Sequence, residues 1–90
     1  MRVEWTDEAQ ADLDNIAEFH ANDPARARAI IDSVVRRMEQ LALFPRSAGL
    51  IPGANPAHIR QLVEGQYRVL YAAGPETIMV LGVPHASRLL

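Results

Sequence analysis

The 90-residue chain has no cysteine and no lysine. Without cysteine it forms no disulfide and offers no thiolate, which points to a cytosolic setting. Without lysine, all nine basic residues are arginine; against eleven Asp and Glu they leave a formal net charge of −2. That balance, with two Tyr, two Phe and one Trp, gives general nucleic-acid binding little support, because no aromatic and basic stripe can be built from it. No apolar run approaches the ~20 residues of a membrane span, and no signal-peptide pattern opens the chain, so a cytoplasmic protein without membrane contact is expected. Repeats and low-complexity segments are missing as well. So are most catalytic signatures: there is no Gly-rich phosphate loop and no nucleophile elbow around Ser33, Ser47 or Ser87. His20, His58 and His85 fall on three different elements, so neither a metal site nor a cofactor is expected.

What is present fits one domain over residues 1–90, a size that buries roughly 60–65% of the unfolded chain's surface. The charges are segregated. Residues 1–45 hold five Arg against nine Asp and Glu, whereas residues 46–90 hold four Arg against Glu64 and Glu76. The second half is therefore locally basic and suited to an anionic partner, unless the split is chance in a small protein.

Arg2 to Trp5 reads as a short strand with Val3 and Trp5 on one side. Thr6 is a good N-cap for a helix whose first turn holds Asp7 and Glu8. Along that helix Ala9, Leu13, Ile16, Ala17 and His20 form the inner stripe, with Phe19 at its edge. Glu8, Asp12, Asp14 and Glu18 read as a solvated outer face. Asp23 and Pro24 open a second helix that is expected to reach about Phe44, with Ala27, Ile30, Ile31, Val34, Met38 and Leu41 inward. Arg28, Asp32 and Arg36 form a solvated charge ladder opposite. Phe44-Pro45 ends this helix, because the residue before proline avoids the helical region. Residues 46–57, with Gly49, Pro52, Gly53 and Pro56, read as a loop too irregular for an element of its own; it carries Arg46 near the sheet.

From His58 to Arg88 the chain reads as three strands joined by turns at Gly65 and Gly74-Pro75. Tyr67, Val69 and Tyr71 share one side of the middle strand; Arg68, Leu70 and Ala72 share the other. Ile78 and Val80 lie on one side of the last strand, and Met79, Leu81 and Val83 on the other. The expected fold is α+β, in the order β-α-α-β-β-β, with a helical hairpin packed on one face of a small, mainly antiparallel sheet. Two helices cover one face, and the opposite face presents apolar side chains among arginines, a binding surface.

Arg68 is the sharpest candidate. A mid-strand guanidinium needs solvent, a carboxylate or a ligand, so Arg68 either clamps a phosphate or carboxylate or pairs internally with Glu64 or Glu76. Arg60 either joins it in an anion-binding patch or marks a solvated strand edge. His85, after Pro84, suits proton transfer near neutral pH or is a plain surface residue. Arg88 contributes to anion binding or belongs to a frayed end. Tyr67 and Tyr71 are read as packing on the helices rather than stacking on a base.

The order of elements, together with the segments WTDEAQADLDNI, LALFP, IRQL, YRVLY and IMVLGVPHASR, resembles the RelE/ParE superfamily, the toxins of bacterial type II toxin–antitoxin modules. The likeness runs nearly end to end. It implies a cytoplasmic toxin of the plasmid-stabilisation kind, neutralised by a cognate antitoxin whose flexible segment wraps around it, in complexes that include oligomers. It also implies one of two mechanisms. In the RelE-like branch the chain is a ribosome-dependent mRNA endoribonuclease, an enzyme in which Arg68 stabilises the phosphorane-like transition state and His85 moves the proton. In the ParE-like branch it inhibits DNA gyrase through protein contacts and needs no hydrolytic centre. The missing lysines, the net acidity and Ala86, where one ribonuclease subgroup has tyrosine, favour the ParE-like branch. A degenerate, non-toxic member is a further alternative.

Overall fold

Thr6 makes the first corner of the fold. Its hydroxyl accepts from the Ala9 amide at 3.1 Å, capping the helix that follows, and donates to the Leu81 carbonyl at 3.2 Å. One side chain thus ends a strand, starts a helix and ties both to residues far along the chain. Thr6→Ala is expected to lower the unfolding free energy by about 1–2 kcal/mol, the size of a lost N-cap plus a part-buried hydrogen bond. Urea denaturation followed by circular dichroism measures it.

The computed structural model describes residues 1–44, 49–50 and 59–88. The elements are β1 (Arg2–Trp5), α1 (Asp7–Phe19), α2 (Pro24–Leu41), β2 (Gly49–Leu50), β3 (Ile59–Glu64), β4 (Tyr67–Ala73) and β5 (Thr77–Gly82), followed by a single 3-10 turn at Ala86–Arg88. The fold is α+β in the expected order, with two differences. Gly49–Leu50, expected to be irregular, pairs antiparallel with β3. Helix α2 stops at Leu41 rather than near Phe44, and Leu43 and Phe44 are left exposed beyond it. Asp23 caps α2 as expected, accepting from the Arg26 amide.

The strand order is β1-β5-β4-β3-β2. β1 runs parallel to β5, with Val3 opposite Ile78 and Trp5 opposite Val80, and the other pairings are antiparallel. Gly65 and Gln66 form a two-residue turn between Glu64 and Tyr67. Gly65 takes φ +60 there, a conformation that suits glycine and a tight hairpin.

The core lies between the helices and one face of the sheet. Leu62, Val69, Tyr71, Ile78 and Val80 meet Ala9, Leu13, Ile16, Val34, Met38 and Leu41. Met38 and Tyr71 are fully buried, so both tyrosines serve the core, with Tyr67 7% exposed. Ala17, expected on the inner stripe, is exposed, and Phe19 is 79% exposed. α1 packs against β5, and its last turn leaves Phe19 in solvent.

Val83 departs from the expected alternation. It belongs to the core, 2% exposed, instead of sharing a side with Met79. The cause is a bulge: Tyr71 pairs with Val80 while the adjacent Leu70 pairs with Gly82, so Leu81 is an extra residue. An inserted residue breaks the two-residue period of a strand and changes which side the later residues occupy.

Candidate functional site

Arg68 lies on the sheet face away from the helices. It is opposite Val63, which is 56% exposed, and shares its side of β4 with the half-buried Leu70. Its Nη1 donates to Gln61 Oε1 at 3.4 Å, a long and weak bond. Its Nε is buried with no hydrogen-bond partner. No carboxylate pairs with it among the described residues. Glu64, one of the two expected partners, is bound elsewhere: its carboxylate accepts from the Ser33 hydroxyl at 2.8 Å and lies 3.9 Å from Arg37. Glu76, the other, is exposed in the β4–β5 turn. A buried, unpaired N–H on a charged group is costly, and no described residue supplies the missing acceptor.

Arg60 does not join it. The two-residue turn places Arg60 opposite Tyr71 and Leu62 opposite Val69. Arg60 therefore shares the helix side of the sheet, and of its two readings the one that joins it to Arg68 is not met by this register. Arg46 and the side chain of Arg88 lie outside the described residues.

His85 is also on the helix side. It forms a bridge with Tyr67, and the two rings meet edge to face at 5.3 Å. The Leu81 bulge produces this placement. With unbroken alternation His85 would follow Met79 onto the face that holds Arg68; with one residue inserted it emerges with Tyr67, the neighbour of Arg68 that points the other way. The structure thus puts the sheet between Arg68 and His85.

The imidazole is committed in a second way. Nδ1 accepts from the Ser87 amide at 3.2 Å and is 2.8 Å from the Ser87 hydroxyl. A backbone N–H only donates, so Nδ1 carries the lone pair and Nε2 the proton in the neutral ring. This Ser-His contact is a local turn. The nearby Asp12 is engaged with the Val83 amide and does not orient the histidine. Among the described residues, no group of three His, Cys, Asp or Glu is placed to hold a metal ion.

This fold, with the Arg68 Nε unpartnered and Arg68 and His85 on opposite sides of the sheet, can be set beside known proteins. The family model described as "ParE toxin of type II toxin-antitoxin system, parDE" matches residues 3–90. The chain belongs to the ParE toxin family. No curated protein matches it in sequence. Among solved structures, the chromosomal ParDE toxin–antitoxin system of P. aeruginosa is similar with a TM-score of 0.78 and 21% identity, covering 94% of this chain and 95% of that one. The RelBE2 toxin–antitoxin complex of Mycobacterium tuberculosis aligns with a TM-score of 0.63 and 23% identity over 93% and 95% of the two chains. A YoeB/ParE toxin from Agrobacterium tumefaciens aligns at 0.64 and 17%, over 94% and 98%. At these identities the structures establish a shared fold. As a ParE-family toxin the chain is one half of a type II module, with an antitoxin as its partner. No described helix is long and apolar enough to cross a membrane.

One residue of this ParE-family chain is structurally important and was not visible in the sequence. Asp12, read as part of the solvated face of α1, is half-buried. Its Oδ2 accepts from the Val83 amide at 2.7 Å, a short, charge-assisted bond. It latches α1 to the chain just past the bulge and so holds the segment that carries His85. No sequence signal distinguishes it from Asp14, because its partner is 71 residues away.

Proposed function

We propose that this ParE-family toxin inhibits DNA gyrase by binding it, without hydrolytic chemistry, and that its antitoxin neutralises it by laying a segment across the sheet face away from the helices, with a carboxylate on Arg68. The observation that carries this reading is the opposite placement of Arg68 and His85. A ribonuclease of the RelE-like kind needs an arginine on the scissile phosphate and a proton carrier within hydrogen-bond reach of the same group. Here the sheet lies between the two, and the lone pair of the imidazole faces Ser87. The protein-binding reading needs neither group in a catalytic pose and no cofactor. It also accounts for a half-buried arginine without a carboxylate on a face the helices leave uncovered.

The test is to induce the chain in bacteria with and without a cognate antitoxin, and to follow plasmid supercoiling, cell shape and transcript integrity together. Loss of negative supercoiling and filamentation with intact messages is the expected outcome, unchanged in His85→Ala. Message cleavage that disappears in Arg68→Ala or His85→Ala would replace this reading with the ribonuclease. Normal growth with antitoxin binding retained would mark a degenerate member.

A further inference from the structure

The last turn of α1 overhangs an open cleft of about 590 Å³ between that helix and the chain from Val83 to Ser87. Its floor is apolar and fixed, with Ile16 and Val83 2% exposed and Tyr67 7%. Phe19 stands on its wall, the most exposed large apolar side chain among the described residues at 79%. Two carboxylates, Asp12 and Glu18, line the same cleft. Asp12 has one oxygen committed to Val83, and Glu18 makes no side-chain hydrogen bond or ion pair among the described residues. No arginine is part of the cleft's described wall, and His85 is the one side chain there able to take a positive charge. The far wall is held by the Asp12 latch and by backbone bonds from Arg68 to the Pro84 carbonyl and from Ala86 to the Gln66 carbonyl. The cleft therefore exists before anything binds.

An uncovered phenyl ring beside an unpaired carboxylate, above an apolar floor, complements one kind of group best. An anion would be repelled, and a purely apolar segment would strand Glu18 away from water. A guanidinium satisfies all three features: it pairs with carboxylate through parallel hydrogen bonds, stacks on an aromatic ring and carries an apolar stem. We propose that this cleft docks an arginine borne on an exposed segment of the toxin's target protein. The proposal rests on the toxin reading above and deepens it by naming the partner's chemistry. The target is favoured over the antitoxin by charge. Arg68, across the sheet, calls for an acidic group, whereas this side calls for a basic one, and the helical half of the chain carries nine carboxylates against five arginines.

The test has two arms. In the first, the free chain is titrated with a blocked Ala-Arg-Ala peptide, or with the same peptide carrying citrulline, and followed by ¹⁵N-resolved NMR. Saturable shifts at the amides of Asn15, Phe19 and Ser87 are expected with arginine, and markedly weaker ones with citrulline, which keeps the shape and loses the charge. Glu18→Gln and Phe19→Ala, both at exposed positions, are each expected to weaken binding roughly 2–5-fold, as an exposed ion pair or cation–π contact would. Absence of saturable shifts, or equal shifts with citrulline, overturns the proposal.

In the second arm, Glu18→Arg and Phe19→Ala are induced in cells and also tested for co-purification with the antitoxin. Reduced growth arrest with antitoxin capture retained supports docking of the target. Unchanged arrest overturns it, and so does loss of antitoxin capture, which would assign the cleft to the antitoxin. If the unaltered chain arrests no growth, the toxin reading itself fails, and the guanidinium site then stands or falls on the peptide arm.

Discussion

Replacing Arg68 with alanine is expected to weaken antitoxin binding by about 2–5 kcal/mol, roughly 30- to 5,000-fold in Kd, the cost of stranding a carboxylate that docks on a desolvated guanidinium. The magnitude follows from the environment of the side chain. Its Nε is buried without a partner and its one side-chain bond is a 3.4 Å contact to Gln61, so little internal hydrogen bonding compensates for the lost arginine in the bound state. Arg68→Lys is expected to recover only part of the loss, since an ammonium cannot supply two parallel donors. The free chain responds differently. The variant loses the packing of the arginine stem but also sheds an unsatisfied nitrogen, so its unfolding free energy is expected to change by no more than about 1 kcal/mol. Calorimetric titration of the antitoxin against both variants, with urea melts of the free proteins, separates the two effects. Equal affinity for the original chain and Arg68→Ala would show that the antitoxin bypasses this residue.

The second large effect concerns Asp12. Asp12→Ala is expected to cost about 2–3 kcal/mol, the range for a hydrogen bond to a charged group whose removal leaves a buried amide unsatisfied. Asp12→Asn keeps an acceptor and gives up the charge, so it should cost about 1 kcal/mol. Asp14→Ala, two residues on and exposed, serves as the control, with a change within about 0.5 kcal/mol. Urea midpoints at constant slope report all three. If Asp12→Ala behaves like Asp14→Ala, the latch contributes nothing to stability.

Much of the fold was legible because its signals are local. Thr6 and Asp23 announce helix starts, apolar residues at helical spacing mark the inner stripes, and strict alternation around Tyr67, Val69 and Tyr71 marks the face that becomes core. The two-residue β2 was hidden among Gly and Pro, where pairing comes from the neighbouring strand rather than from propensity. The parallel placement of β1 beside β5 leaves no local trace at all.

The candidate site was less legible, for two reasons. Within each strand the sides of Arg60 and Arg68 were assigned correctly, but their relation depends on register. The signal was present: Gly65-Gln66 between two strands implies a two-residue hairpin, and that alone sets Arg60 opposite Tyr71 and away from Arg68. The bulge at Leu81 had no such signal. It moves Val83 into the core and His85 to the opposite side from the one alternation assigns, so a pairing of Arg68 with His85 that looks natural in one dimension is undone by a single inserted residue.

The parallel neighbour of β5 also has a consequence for timing. Thr6 and Leu81, joined by a hydrogen bond, are 75 residues apart in sequence, and among the described strands β1 borders β5 alone. Such distant contacts carry the greatest cost of loop closure and form late. On the ribosome, β1 stays unclaimed until β5 has been synthesised. A molecule that stops short of β5 therefore lacks both the completed sheet and the cleft that residues 83–87 wall.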